Sequence, residues 1–275
     1  MFAPTLEPAT VPVPFLTLSG SIVRSIWVTL VSDNPLVWNR TYGKRNEQAD
    51  VEGPYYIADA PSRQIENGKA IMASSSMLKK FKPYLMTVRI LSPEGNPIPG
   101  AEVDWWQSDT AGNYYHRTYT LRGRVTTDGD GYAEVLTVAP APYGPGKNVQ
   151  RAAHFHVWIH APQAEKGQTA YDDLTTQMYV CDGNDAKLME NDFVNYMRKV
   201  RLGNMVHSWS LPDKDIDDGR PFKNFPELES SDVITRQRVA WWNAKLAQMR
   251  DSDPGLKIVA GATAELRLNA KAGWF

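Results

Sequence analysis

The sequence predicts a mainly β protein: an antiparallel β-sandwich core with an N-terminal arm and an α-helical C-terminal extension. Three observations lead there. Short apolar runs recur at close spacing between about 83 and 182, separated by turns of Gly, Pro and Asp, which is the pattern of a sandwich or barrel. Apolar residues at helical spacing gather towards the C-terminus instead. Ahead of "VEGPYYIADAP" the chain is first Pro-rich and then mixed, the texture of an extension.

In chain order, residues 1–50 form the arm. Its start, "MFAPTLEPATVPVPFLTLSG", has no basic region and is broken by prolines, so it makes a poor signal peptide. The run "SIWVTLV" is far too short to span a bilayer, and Arg24 sits just ahead of it. A cytoplasmic protein without a membrane partner is expected. The core, 51–185, opens its strands with "YLMTVRILSPEGNPIPGAEVDWWQSD", in which "MTVRI" and "AEVDWW" flank a loop punctuated by Gly and Pro. "RGRVTTDGDGYAEVLTVAP" repeats that logic, with "TDGDG" turning between "GRVTT" and "YAEVLTV". "AHFHVWIHAP" and "TTQMYVC" supply two further strands. Residues 186–275 read as a helical extension, packed on the core or at a subunit interface. "NDFVNYMRKVRLGN" places Phe193, Val194, Met197 and Val200 at helical spacing before Gly203. "SDVITRQRVAWWNAKLAQMRD" opens on Ser231 and Asp232, which suit an N-terminus, and its apolar side includes Ile234, Trp241 and Leu246.

The 275 residues suffice for a large buried core. A net charge of −1 leaves no basic excess for a nucleic-acid partner. The single cysteine, Cys181, excludes an intrachain disulfide and a thiolate cluster, and reads as a small buried hydrophobe. The pairs Trp105–Trp106 and Trp241–Trp242 read as packing rather than as a stacking platform.

"RAAHFHVW" carries the chemistry. Residues i and i+2 of a strand share a face, so His154 and His156 look one way while Phe155 and Val157 look the other. The pair either coordinates something or consists of two satisfied core imidazoles. Neutral imidazole suits zinc, copper, iron or nickel. Cupins follow such a strand pair with a glutamate, but here the corresponding positions are His160 and Ala161. His160, His116 and His207 read as solvent-facing. Tyrosines surround the pair in sequence: "AGNYYHRT" presents Tyr114 two residues after Gly112, and "APAPYGPGKNVQR" sets Tyr143 in a Pro/Gly loop before Arg151. A phenolate is a hard anionic donor that favours Fe(III).

The sequence resembles the intradiol ring-cleavage dioxygenases, which open catecholic rings between the two hydroxyls. The resemblance spans roughly residues 50 to 185 and rests on "VEGPYY", "GNPIPGAEVDWWQSDTAGNYY", "RGRVTTDGDGYAEVLTVAPAPYG", "RAAHFHVWI" and "TTQMYV", in the family's order. It implies a mononuclear non-haem Fe(III) held by Tyr114, Tyr143, His154 and His156, with Tyr143 and His156 axial and Tyr114 and His154 equatorial. It also implies a catalytic Arg151 beside the bound ring and an active-site Gln177. Tyr115 competes with Tyr114, and the Gly-x-Tyr spacing selects Tyr114. Under this resemblance Tyr143 is both ligand and general base, and Arg151, always protonated, stabilises developing negative charge. The partners implied are a small aromatic diol and O2, the product is a cis,cis-muconate, and the assembly is a homo-oligomer, a dimer.

Two departures from the catechol- and hydroxyquinol-specific members point to protocatechuate or a close hydroxybenzoate: the short segment before Glu52–Gly53–Pro54, and the short loop "GPGKNVQ" between Tyr143 and Arg151. A carboxylated substrate would want a cation at the pocket rim, for which Arg117, Arg122, Arg124 and Lys147 are candidates. Catechol and hydroxyquinol are the alternatives. The reading of another class is a non-catalytic, prealbumin-like sandwich module, which leaves Tyr143, Arg151 and the histidine pair without a purpose.

Overall fold

The computed structural model describes residues 6–146, 149–180, 192, 194–195, 204–211, 225–249 and 255–271. Cys181, most of the helix expected over 191–204 and Lys147 lie outside the described residues. In chain order the elements are α1 (Phe15–Trp27), α2 (Pro35–Trp38), β1 (Gln64–Glu66), β2 (Lys69–Ile71), α3 (Ser75–Phe81), β3 (Tyr84–Leu91) and β4 (Glu102–Gln107). They continue with β5 (Arg122–Thr126), β6 (Tyr132–Thr137), β7 (Tyr143–Gly146), β8 (Val149–Arg151), β9 (His154–His160) and β10 (Leu174–Tyr179). The tail adds β11 (His207–Ser210), α4 (Val233–Met249) and β12 (Ala260–Arg267).

Two sheets face each other, one in the order β10-β9-β4-β5 and one in the order β1-β2-β6-β3-β12-β11, and β7 and β8 form a separate hairpin. Strand alternation builds the layer between them. Val103 and Trp105 from β4, Phe155, Val157 and Ile159 from β9, and Leu174 and Met178 from β10 meet Tyr84, Met86, Val88 and Ile90 from β3 in one buried cluster. The opposite face of the larger sheet supports a second cluster, in which Leu85 and Leu136 pack with Leu78 of α3 and with Val239, Trp242 and Leu246 of α4. Glu134 of β6, itself buried, accepts hydrogen bonds there from Trp242 Nε1 at 2.7 Å and Arg238 Nε at 3.1 Å.

The mainly β sandwich with a C-terminal helix is as the sequence predicts, but four features differ in detail. First, "MTVRI" and "AEVDWW" do not form a hairpin: β3 pairs with β6 and β4 pairs with β5 and β9, so each Gly-containing turn carries the chain from one sheet to the other. Second, the tail is more than a helix packed on the core. Strand β12 lies inside the larger sheet, parallel to β3 over eight residue pairs and antiparallel to β11. The larger sheet is therefore mixed, with β2 also parallel to β6. Third, the buried stripe of α4 is Thr235, Val239, Trp242 and Leu246, whereas Ile234 is exposed. The helix starts where expected, with Asp232 Oδ1 accepting the Thr235 N–H at 2.9 Å.

The arm is the fourth difference. Phe15–Ser32 is continuously helical, with a π turn at Val28–Ser32, and forms an 18-residue segment of mean hydropathy 1.4, 11% buried. By length and composition it reaches what a bilayer crossing needs, which the shorter run read from the sequence did not. One face docks on the domain through Arg24, and Phe15, Leu16, Ile22, Val23 and Ile26 are exposed on the rest.

Candidate metal centre and active site

The four-stranded sheet has a second face, turned away from the sandwich. Register fixes its contents: Gln177 of β10 stands opposite His156 of β9, His156 opposite Trp106 of β4, and Trp106 opposite Arg122 of β5. One row lower, Tyr179 stands opposite His154. Every one of these side chains is buried, because residues 50–60 and the arm cross over this face.

The two imidazoles converge. His154 Nδ1 donates to the Ala152 carbonyl at 2.6 Å, which leaves its Nε2 as an acceptor, and that Nε2 lies 3.0 Å from His156 Nε2. The His156 ring stacks on Trp106, with centroids 4.8 Å apart and planes at 11°. Burial pushes both histidines well below their ordinary range, reinforced by Arg151 at His154 and by His154 and Arg151 at His156. Both are neutral donors at physiological pH.

Two phenols complete the convergence. The Tyr143 hydroxyl lies 3.5 Å from His154 Nε2. The Tyr114 ring meets the Tyr143 ring edge-on at 5.2 Å, and the buried Tyr114 hydroxyl, though beside Tyr143, meets hydrogen-bond geometry with no described residue. The two loops close tightly. Gly112 has φ +82°, and a Cβ there would sit 3.2 Å from Tyr143 Cβ, so the Gly-x-Tyr spacing reflects a close approach that only glycine allows. Asp109 shapes the loop: its Oδ1 accepts the N–H groups of Ala111 and Asn113, and its Oδ2 accepts the Tyr115 hydroxyl at 2.9 Å. Tyr115 thus faces away from the histidines and Tyr114 faces them. Burial raises both Tyr114 and Tyr143, so the phenols keep their protons unless a cation draws them off.

Among the described residues no group of three or more His, Cys, Asp or Glu side chains is arranged to hold a metal. A metal at the histidine pair would therefore need the phenols. Two neutral imidazoles and two phenol oxygens, one without a partner among the described residues, fit a hard, highly charged cation and suit a soft one poorly.

Arg151 stands beside this cluster in a buried polar network. Its Nε donates to both oxygens of Asp192 at 2.9 Å, and its Nη2 donates to Gln177 Oε1 at 2.6 Å. Gln177 Nε2 donates in turn to the Val51 carbonyl at 2.8 Å, and the Tyr179 hydroxyl donates to Asp50 Oδ2 at 2.7 Å. Burial works against the Arg151 charge, but Tyr179, Asp192 and Tyr143 outweigh it and the net direction is upward, so the guanidinium stays charged. Sequence reasoning missed Asp50, Asp192, Tyr179 and Asp109. Tyr179 had a signal, since it shares strand parity with Gln177.

The other histidines stay apart from the cluster: His160 pairs with Asp173 at 3.1 Å, His207 is exposed, and His116 lies against Tyr55 with centroids 5.3 Å apart. Of the cations considered for a pocket rim, Arg122 is not at a surface at all. It is buried, donating to the carbonyls of Tyr55 at 2.6 Å and Tyr115 at 3.2 Å. Arg124 pairs with Glu102 at 3.2 Å.

Comparison with known proteins bears directly on a sandwich whose outer sheet face gathers two histidines, two tyrosines and an arginine. A family model described as Dioxygenase matches residues 51–217. The chain belongs to the intradiol ring-cleavage dioxygenases, a family of oxidoreductases. It is similar to a chlorocatechol 1,2-dioxygenase of Rhodococcus opacus, 27% identical over 63% of this chain and 73% of that protein. It is also similar to a catechol 1,2-dioxygenase of a Pseudomonas species, strain EST1001, 30% identical over 46% of this chain and 45% of that protein. The match thus spans less than half the length of the second relative. In fold it resembles the catechol 1,2-dioxygenase of Acinetobacter radioresistens, with a TM-score of 0.59 at 22% identity, covering 94% of this chain and 77% of that one.

Proposed function

We propose that this protein is a non-haem Fe(III) intradiol dioxygenase that opens a catechol-type ring between its two hydroxyls with both atoms of O2. The observation that carries the reading is the convergence of His154 and His156, Nε2 to Nε2 at 3.0 Å, with the Tyr143 and Tyr114 hydroxyls on one buried face. Tyr114, Tyr143, His154 and His156 would hold the metal. Ferric iron, when bound, supplies the Lewis acid that chelates the diol as a dianion.

The chain's own groups do the rest. The Tyr143 oxygen, at the edge of the cluster in a short hairpin, is placed to receive a proton from the incoming diol. Arg151 offers a fixed positive charge to the ring as negative charge develops there, and Asp192 and Gln177 hold its plane in place. Burial under residues 50–60 excludes water from the reacting centre.

For the substrate, the engagement of two of the four rim cations favours an uncarboxylated catechol. Arg122 is engaged by backbone carbonyls and Arg124 by Glu102, and the relatives named above carry the names catechol and chlorocatechol 1,2-dioxygenase. Protocatechuate is the second reading, favoured by the short β7–β8 hairpin between Tyr143 and Arg151. The test is a visible spectrum of the iron-supplied protein, repeated with catechol and with protocatechuate in the absence of oxygen. A red-brown tyrosinate band that moves to longer wavelength with one diol supports the reading and ranks the substrates. A protein that stays colourless after iron is supplied overturns it.

A further inference from the structure

The arm had no role in the sequence reading, yet it is wired to the site by two routes. Three consecutive residues are each held by it. Arg24 Nε and Nη2 donate to the two oxygens of Glu52 at 2.8 and 2.7 Å, the Gly53 N–H donates to Asp33 Oδ2 at 2.9 Å, and Ser25 Oγ donates to the Pro54 carbonyl at 2.8 Å. Gly53 is left-handed, with φ +74°, and a Cβ there would lie 3.2 Å from His156 Cε1, so its backbone rests against the edge of that imidazole. The following residue but one, Tyr55, packs its ring 4.5 Å from Tyr114.

The second route is aromatic. The Arg24 guanidinium lies over the rings of Tyr56 and Trp158 at 5.2 and 4.8 Å. Tyr56 stands edge-on to Trp106 at 5.0 Å, and Trp106 is the ring stacked on His156. Both routes end at the same imidazole. A histidine that binds a metal is ordinarily oriented by an acceptor at its other nitrogen. His154 has one in the Ala152 carbonyl, but His156 Nδ1 meets no hydrogen-bond partner among the described residues. Packing must orient His156 instead, from Gly53 on its edge and Trp106 on its face.

We infer that α1 and the turn after it act as a strap that fixes the orientation of His156, with Arg24 and Asp33 as positioning residues of the metal site. The inference rests on the iron reading above. It makes the arm part of the active site.

The test compares Asp33→Ala, Arg24→Ala and Asp33→Asn with the parent protein, all loaded with iron. Three quantities are followed: the tyrosinate band without substrate, the rate of iron loss to an excess of chelator, and the thermal midpoint. Second-sphere changes around metal-bound histidines typically weaken binding by about 10–100-fold, so both alanine variants should lose iron at least about tenfold faster, with a displaced band. Asp33→Asn keeps an acceptor oxygen for the Gly53 N–H and should stay near the parent. Alanine variants that melt earlier yet keep the parental band and iron-loss rate would mean that the arm only covers the sheet, and would overturn the inference. A parent protein that takes up no iron would instead overturn the iron reading and the strap's role together.

Discussion

The two faces of the four-stranded sheet are built by the same strands in the same register and are equally buried, yet they hold opposite chemistry. Towards the sandwich stand Val103, Trp105, Phe155, Val157, Ile159, Leu174 and Met178. Away from it stand His154, His156, Gln177, Tyr179, Trp106 and Arg122, also at 1% exposure or less. Water exclusion stabilises the first face directly. On the second it is unfavourable to each polar group, offset only where partners are supplied, and most are: Arg151 by Asp192 and Gln177, Tyr179 by Asp50, His154 by Ala152. Those left without a described partner are the Tyr114 hydroxyl and His156 Nδ1 in the convergent cluster, with Trp106 Nε1 and Arg122 Nη2 beside it. Alternation along a strand thus lets one layer separate what holds the fold from what performs chemistry. Substitutions on the two faces should fail in different ways.

The largest expected effect is on the inner face. Phe155 is fully buried between the two proposed iron ligands of β9 and packs on Trp105 and Tyr84, with ring centroids 4.8 and 5.9 Å away. Phe155→Ala should lower stability by about 3–5 kcal/mol, read from urea unfolding, while any protein that remains folded keeps the tyrosinate band. On the metal-facing side the opposite holds. Tyr143→Phe should leave the urea midpoint unchanged but remove one phenolate contribution to the band and slow turnover by about 10²–10⁴-fold, the range for a lost general base. Unchanged activity and colour would show that Tyr143 is not a ligand.

Arg151 separates binding from rate on the outer face. Arg151→Ala should keep the band and its shift on adding catechol, yet lose about 10²–10³-fold in turnover, as for other fixed charges aimed at a transition state. Because the substitution also leaves Asp192 buried without its cation, a measurable fall in stability should accompany the kinetic loss. A variant that also fails to bind the diol would reassign Arg151 from rate to binding.

Much of this contrast was legible in the sequence. His-x-His with interleaved Phe155 and Val157 states both faces at once, since the side-chain period of a strand is two. The Gly-x-Tyr spacing picked Tyr114 over Tyr115, but the close approach behind it, Gly112 against Tyr143, shows only in the fold. What could not be read was pairing over distance. Asp192 meets Arg151 across 41 residues and Asp50 meets Tyr179 across 129, and neither acid sits in a pattern that differs from a solvated one. Strand β12 was missed for a local reason: "AGATAELR" is rich in Ala and Gly, which are weak strand formers, and only the space beside β3 makes it a strand. Turn residues predicted the corners after β3 and β5 but not that each corner changes sheets. In the arm, the prolines at its start obscured a helix that begins right after Pro14.

The smallest effect sharpens the comparison by pH. Asp104, buried on the outer face beneath Tyr56, has its carboxyl raised from 3.8 to about 6, chiefly by burial and despite the Tyr56 hydrogen bond at 2.9 Å. A raised carboxyl binds its proton more tightly in the folded state. Its contribution to stability is therefore greatest below the unfolded value near 4 and is lost as pH rises through about 6, a swing on the order of 3 kcal/mol. His154 and His156 pull the other way. Their folded values are depressed, so their contribution is present above the ordinary 6.5 and drains as pH falls. A single stability profile mixes the two, but the difference between the parent and Asp104→Asn isolates the carboxyl. That difference should favour the parent progressively from pH 7 down to pH 4. Phe155→Ala, on the opposite face of the sheet from Asp104, should instead lower stability by the same amount from pH 7 to pH 4. A flat difference for Asp104→Asn would mean that water reaches the carboxyl in solution, and the outer face would then be less dry than the inner one.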